Sequence, residues 1–204
     1  MTEILLLKCK KELRMKTNRE LIFCSGTTEY LYAKSMQMEL PHNLRGAVTV
    51  EVTNQRSCDP WSLAKEAVRK KKQSNRDRNP YDNIWLFYGN PSVEMPGMLK
   101  YLGANDLNAA YCPLCLEQWF ILHFEEYATS FVTRESAVAH LKKIWPQYKK
   151  NQIDAYEELK ERLPMAISRA SLVNNQLKIH ETKAVPIFTV PNLLVFFDSM
   201  RQAG

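Results

Sequence analysis

The strongest constraint on the fold is an alternation of short apolar segments with helix-like segments over the first 112 residues. The apolar segments are predicted to be β-strands and cover residues 20–25, 46–52, 83–88 and 107–112. The segments between them, at about 28–38, 60–72 and 93–102, are predicted to be helices. Such alternation favours a parallel sheet, and continuous apolar runs are typical of strands with helices on both faces. The sequence therefore predicts an α/β fold with a central parallel sheet of about four strands, flanked by helices.

The pattern after residue 112 is helical only. Residues 114–124 leave little polar face, which predicts a buried helix. A later helix is expected to begin at a cap near Asn151 and to be kinked by Pro164, and a last helix is predicted over 192–201. We expect a basic N-terminal arm over 1–19 and one domain over 20–204. Its sheet core would span about 20–112 and its helical part about 113–204.

Composition limits the class of protein, the kind of partner and the cellular location that we expect. Its 45% hydrophobic residues are typical of a folded protein, and its net charge of +6 favours polyanionic partners without requiring them. The longest charge-free stretch, 184–197, contains two prolines and is too short to cross a bilayer. Lysines interrupt the first apolar run, so no secretory signal is expected. These features predict a cytoplasmic protein that does not span a membrane.

The densest group of basic residues lies between residues 69 and 78, where only Asp77 opposes it. Its members are Arg69, Lys70, Lys71, Lys72, Arg76 and Arg78. A flexible segment of this kind can bind the phosphates of RNA or DNA by releasing counterions. Alternatively, it is a charged helix end that continues into a solvated loop. The sequence leaves both interpretations open.

Two acidic residues and a histidine are candidates for chemistry. Glu29 follows the first strand and the turn at Gly26, where it could bind a metal or act as a base. Alternatively, Glu29 complements the start of a helix that Thr27 or Thr28 caps. Glu117 and His123 are polar residues in an otherwise apolar segment. They are either functional or paired with neighbouring groups.

A Cys-x-x-Cys pair, Cys112 and Cys115, lies where the fourth strand meets a helix. With further ligands it could bind zinc, and a redox pair would also lie at a helix start. The remaining alternative is that both are buried structural thiols. The five cysteines are odd in number and irregularly spaced, so we expect them to be reduced.

Several segments, taken in order, resemble the RloB family of Toprim-like proteins over most of the chain. The segments that carry this resemblance are Cys24-Ser25-Gly26 with Thr28-Glu29-Tyr30, Tyr81-Asp82, Phe87-Tyr88-Gly89-Asn90, Cys115-Leu116-Glu117-Gln118-Trp119, Leu122-His123-Phe124, Tyr148-Lys149-Lys150-Asn151 and the closing stretch from Pro186 to Leu194. The family is associated with bacterial anti-phage abortive infection and is usually encoded beside an ABC-type ATPase. The resemblance implies a Mg²⁺-dependent nuclease with three acidic metal ligands.

The three positions that match those acidic ligands read Ser25, Tyr88 and Asn90 in this chain. Mg²⁺ prefers carboxylate oxygens, and an Asn carbonyl binds it only weakly. We therefore expect a catalytically degenerate protein that holds no cofactor and acts by binding an ABC-type ATPase or a nucleic acid. The alternative is an active Mg²⁺- or Mn²⁺-dependent nuclease. In that case Glu29 and Glu117, with Asn90, would bind the metal, and Glu29, Glu117 and His123 would be catalytic.

Overall fold

The computed structural model describes residues 19–53, 59–89, 95–126, 131–180 and 187–203. Its strands are β1 (Glu20–Cys24), β2 (Val48–Val52), β3 (Asn83–Gly89) and β4 (Asn108–Cys112). Its α-helices are α1 (Thr27–Met38), α2 (His42–Arg45), α3 (Pro60–Arg76), α4 (Met95–Ala104), α5 (Leu116–Ile121), α6 (Arg134–Ile144), α7 (Ala155–Leu159), α8 (Leu163–His180) and α9 (Val190–Ala203). A 3₁₀ turn, Lys160–Arg162, joins α7 to α8.

The four strands form one parallel sheet in the order β2-β1-β3-β4. In register, Cys24 of β1 lies between Val52 of β2 and Phe87 of β3. Every residue of β1 is buried, as its continuous apolar run predicts for a central strand with both faces covered. The predicted α/β fold is confirmed, and the strand boundaries agree with the sequence prediction to within two residues.

Helices cover both faces of the sheet and create two separate apolar clusters. The smaller cluster packs α3 and α4 against one face, through residues such as Leu63 and Met98. The larger cluster contains α1 and the helices that follow β4, and Trp119 and Phe120 of α5 lie at its centre. The Trp119 indole donates a hydrogen bond to the Tyr32 hydroxyl at 2.9 Å, so the buried polar atoms of α1 and α5 satisfy each other. The C-terminal helices thus complete the core on one face of the sheet.

The basic segment is more ordered than a flexible loop. Helix α3 continues to Arg76, four residues beyond its predicted end, so the expectation of a flexible basic segment is wrong for most of 69–78. Its N-terminus is capped by Asp59, whose carboxylate accepts hydrogen bonds from the backbone N–H groups of Trp61 and Ser62. Lysine, arginine and glutamine are good helix formers, which explains why the basic run extends the helix.

Three expectations for the helix boundaries are also corrected. The buried helix predicted over 114–124 is helical only from Leu116 to Ile121. Asp154, and not Asn151, caps the next helix, since its carboxylate accepts a hydrogen bond from the Glu157 N–H. Pro164 is the second residue of α8, and the 3₁₀ turn directly before it takes the place of a kink. A proline fits there because the first helical N–H groups have no partner within the helix.

Helix α6 was absent from the sequence prediction. It begins with a capping box, in which the Thr133 side chain accepts from the Ser136 N–H and the Ser136 side chain accepts from the Thr133 N–H. A capping box usually carries Glu or Gln at the third helical position, and the serine here makes this start harder to recognise.

Some of the residues discussed above lie outside the described ranges, namely the N-terminal arm up to residue 18, Cys9, Cys58 and Asn90. In the ranges that are described, none of the helices has the length and apolar character needed to cross a bilayer.

Candidate functional site at the carboxyl edge of the sheet

The strand order reverses at the carboxyl ends of β1 and β3. Chain connections lead from β1 to β2 on one side and from β3 to β4 on the other. Ligand sites of open parallel sheets lie at such a reversal of strand order, because the loops on its two sides diverge. Here the Ser25 N–H donates to the Phe87 carbonyl at 2.9 Å and extends the contact between the two strand ends. We refer to this region as the carboxyl edge.

Glu29 reaches the carboxyl edge from the first turn of α1. Its side chain is buried, and its Oε1 accepts a hydrogen bond from the Gly89 N–H at 3.1 Å. Burial raises the pKa of Glu29, and the charge of Glu117 adds to this, although hydrogen bonds from backbone N–H groups act in the opposite direction. The N-cap of α1 is Gly26, and no side chain caps the helix. The expectation that Thr27 or Thr28 is the cap is therefore wrong. Glu29 therefore links α1 to the end of β3.

Glu117 reaches the same edge from α5 and is held by two donors. Its Oε1 accepts a hydrogen bond from the Tyr148 hydroxyl at 3.0 Å and forms an ion pair with the Lys150 Nζ at 2.9 Å. The carboxylate is only 2% exposed. Burial by itself would raise the pKa of Glu117, but the hydrogen bond and charge of Lys150 outweigh burial and hold the pKa below its usual value. Glu117 is therefore an ionised group whose charge is matched inside the protein.

A close contact between β3 and α5 sets the spacing of this edge. A Cβ atom on Gly89 would lie 2.7 Å from the backbone nitrogen of Leu116 and 2.8 Å from the Cα of Cys115. Such distances exclude any side chain at this position without moving backbone atoms. Gly89 therefore allows the start of α5 to lie directly against the end of β3, which brings Glu117 and Glu29 to one place.

The described residues at this edge do not fit a magnesium site. The structure brings Glu29 and Glu117 close enough for their charges to interact, but Lys150 already neutralises Glu117 and the Gly89 N–H occupies an oxygen of Glu29. Within the described ranges, no group of three or more His, Cys, Asp or Glu side chains has the arrangement of a metal site. Mg²⁺ needs several hard oxygen ligands with available charge. A lysine that pairs with the buried Glu117 carboxylate supplies the positive charge here instead.

Tyr88 is oriented away from this edge. Its ring stacks on Tyr111, with 5.5 Å between ring centroids, and belongs to the apolar cluster beneath α3 and α4. It is 1% exposed, and its hydroxyl has no hydrogen-bond partner among the described residues. Burial raises the pKa of Tyr88, so the phenol stays neutral. The position at which the resemblance implies a metal-binding carboxylate is therefore part of the core.

The three described cysteines are buried free thiols. Burial raises the pKa of Cys24 and of Cys112, and it raises the pKa of Cys115 to about 12. Protonated thiols are poor nucleophiles and poor metal ligands. Of the three alternatives for the Cys-x-x-Cys pair, these observations favour structural thiols.

His123 occupies a different environment from the two glutamates. Its Nδ1 lies 2.9 Å from the Trp119 carbonyl, while its Nε2 is buried without a hydrogen-bond partner among the described residues. Burial lowers the pKa of His123 to about 4, and the charges of Arg162 and Arg169 contribute to this shift. The imidazole is therefore neutral at pH 7, next to arginines of the C-terminal part.

The basic residues of 69–78 fall into two groups. Lys70 forms an ion pair with Glu51 at 2.6 Å, and the Lys71 Nζ donates a hydrogen bond to the Asn105 carbonyl at 2.6 Å. The other four, namely Arg69, Lys72, Arg76 and Arg78, are exposed to solvent.

The sequence prediction missed two functional candidates. It did not identify Lys150 as the partner of Glu117, and it did not include Lys65, which is also exposed on α3. The spacing of residues 65, 69, 72 and 76 was a signal that could have identified Lys65.

Comparison with known proteins identifies one family. The sequence model of the RloB-like protein family matches residues 20–195, which include the whole sheet and most of the helical part. A search of curated proteins and a search of solved structures each returned no match. The family match covers well over half of the chain. The chain therefore belongs to the RloB-like protein family.

Proposed function

We propose that this chain is a catalytically degenerate RloB-like protein that acts by binding, as a component of a bacterial anti-phage defence system. The observation that carries this proposal is the Lys150–Glu117 ion pair. An active metal site needs carboxylates whose charge is available to the metal. Here the ionised carboxylate already has a cationic partner within the protein, and a core tyrosine occupies one of the ligand positions.

The defence role and the two kinds of partner come from the family resemblance. An ABC-type ATPase or a nucleic acid, RNA or DNA, is the expected partner. The positive net charge and the exposed cations of α3 support a nucleic acid. The intact parallel sheet, with its helical cover on both faces, supports a stable scaffold that can bind without catalysis.

The test is a calorimetric titration of the purified protein with Mg²⁺ and with Mn²⁺. The wild type is compared with Glu29→Gln and Glu117→Gln, and a thermal melt confirms that each protein is folded. We expect no heat of specific binding for any of the three proteins. Lys150→Met is a fourth protein, because it removes the cation that pairs with Glu117 and should therefore favour metal binding more than the other substitutions.

Micromolar binding of Mg²⁺ or Mn²⁺ by the wild type that disappears in both glutamine variants would overturn the proposal in favour of the nuclease alternative. The specific observation behind that alternative is that Glu29 and Glu117 lie close enough at this edge for their charges to interact. Metal-dependent cleavage of RNA or DNA that both substitutions abolish would have the same meaning.

A further inference from the structure

Helix α3 presents a straight line of cations to solvent. Lys65, Arg69, Lys72 and Arg76 are all exposed. They are separated by four, three and four residues, which places them on one helix face. Eleven residues at 1.5 Å each give this line a length of about 16 Å. We refer to these four residues as the basic stripe.

The stripe lies on the side of α3 that is turned away from the core. The buried residues of the helix include Leu63, Ala67 and Ser74. At 100° per residue, their positions fall on the opposite side of the helix from residues 65, 69, 72 and 76. The stripe is therefore accessible along its whole length.

Neighbouring lysines on the same helix are not available in this way. Lys70 and Lys71 are half-buried and are bound to Glu51 and to the carbonyl of Asn105. In contrast, none of the four stripe side chains forms a salt bridge with another part of the described chain. Residues that are adjacent in sequence thus differ in the charge that they offer to a partner.

The acidic residues of this helix do not neutralise the stripe. Glu66 accepts a hydrogen bond from the Thr53 hydroxyl at 3.0 Å. Asp77, which follows the helix, accepts one from the Gln73 side chain at 2.9 Å. In the described chain neither carboxylate forms an ion pair with a stripe cation, and the four cations outnumber these two carboxylates, so the surface keeps a net positive charge.

We propose that the basic stripe binds the sugar–phosphate backbone of a nucleic acid, without reading its sequence. This inference rests on the proposed function, in which the protein acts by binding. One strand of a duplex carries a phosphate about every 3.4 Å along the helix axis, so the phosphates recur at regular intervals short enough for several to lie within reach of a line of this length. Arginine and lysine at regular intervals match such a regular polyanion better than they match a folded acidic protein.

An anionic membrane is the weaker candidate for this surface. Helices that bind membranes combine cations with large apolar residues that enter the lipid. The exposed large apolar residues of the described chain lie outside α3, at Met38, Val52, Val132, Met165, Leu172 and Val195. The stripe therefore offers charge alone.

The test is fluorescence anisotropy with labelled probes of about 20 nucleotides, long enough to cover the stripe several times. Single-stranded RNA, single-stranded DNA and duplex DNA are used over a range of salt concentrations. The key variant is Arg69→Gln with Lys72→Gln. Its matched comparison is Lys70→Gln with Lys71→Gln, which removes the same charge from adjacent positions. Lys142→Gln with Lys143→Gln, on the exposed end of α6, controls for net charge.

We expect the wild type to bind at least one of the probes with a plot of log affinity against log salt whose slope is about −3 to −4. The stripe double variant should weaken binding on the order of 10- to 100-fold and reduce the magnitude of the slope by about 2. The other two double variants should change affinity less than about threefold. All three should keep a cooperative melt, because exposed substitutions change stability little and the partly exposed ion pairs of Lys70 and Lys71 contribute only modestly.

Equal losses in the three double variants would overturn the proposal, because they would mean that only net charge matters. Absence of binding to every probe would overturn it too, as would wild-type binding to phosphatidylserine vesicles alone. These failures would leave the metal titration unaffected. They are therefore distinguishable from a failure of the proposed function.

Discussion

The carboxyl edge and the basic stripe both contain several charged residues, but those residues differ in burial and in ion pairing. At the carboxyl edge, Glu29 and Glu117 are buried, and hydrogen bonds and a lysine from the same chain satisfy them. On the basic stripe, four cations are exposed and have no ion-pair partner in the described part of the chain. An enzyme of this architecture would show available charge at the strand ends.

This difference is the basis of our proposal that the protein binds other molecules through the stripe. A charge that is neutralised within the fold contributes to stability and offers little to a ligand, because a ligand must first displace the internal partner. A solvated charge contributes little to stability but can attract a polyanion at a distance. Substitutions at the edge should therefore change stability, and substitutions in the stripe should change binding.

The largest effect on stability is expected from His123, a third buried ionisable group. Its pKa of about 4 in the folded protein lies below the value of 6.5 for an unperturbed histidine. Because the unfolded chain takes up the proton first, the stability that neutral His123 contributes is present above pH 6.5 and is lost as pH falls towards 4. This loss is about 3 kcal/mol in the free energy of unfolding.

Urea denaturation of the wild type and of His123→Gln, at pH 7 and at about pH 4, measures this effect. The carboxyl groups contribute the same background to both proteins. We expect the variant to lose less stability on acidification, by about 3 kcal/mol. Parallel pH profiles for the two proteins would contradict the prediction and would place His123 in a more solvated environment.

Lys150→Met is expected to have the next largest effect. It leaves the Glu117 carboxylate buried with only the Tyr148 hydroxyl as a side-chain partner of its Oε1. Removing one partner of a buried ion pair is strongly destabilising, and partial exposure of Lys150 moderates the effect. We expect the free energy of unfolding at pH 7 to fall by about 2 kcal/mol.

The matched control is Lys149→Met, an adjacent and exposed lysine, which should change stability by less than about 0.5 kcal/mol. Chemical denaturation provides both values. Adding Glu117→Gln to Lys150→Met should recover part of the loss, because the unpaired charge is then absent. If the two lysine variants were equally stable, the ion pair would not be the stabilising feature that we describe.

The smallest effect is expected from Glu29→Gln, and it has the opposite sign. The pKa of Glu29 is raised by burial, so its ionisation disfavours the folded state as pH rises above its ordinary range. A neutral glutamine can still accept the Gly89 N–H. We expect the variant to be more stable by about 1 kcal/mol at pH 8, and the gain to disappear towards pH 4.

Thermal melts across this pH range, with exposed Glu126→Gln as the control, measure the difference. A destabilised Glu29→Gln at pH 8 would mean that the charge of Glu29 has a partner that makes it favourable. That result would bring the carboxyl edge closer to a working site and would weaken the contrast with the stripe.

The sequence by itself determined the parallel α/β sheet, because buried parallel strands must be short continuous apolar runs and their crossovers must be helices. It also placed Glu29 after β1 and Glu117 in the segment after β4. What it did not determine was the helix over 134–144, whose capping serine is a weak signal, or the helical state of the basic segment. The helix over 134–144 buries Ala137 and Leu141 in the core, so tertiary packing supports it, whereas the basic segment follows the helix propensity of its own residues.

Only the tertiary structure decided which charges remain available. Lys150 meets Glu117 across 33 residues of chain, and Lys71 meets Asn105 across 34. No local pattern encodes such pairs, because they depend on how α5 packs against the loop before α7 and how α3 packs against the end of α4. The number of charges can be read from the sequence, whereas the fold determines which of them are neutralised within the protein and which face solvent.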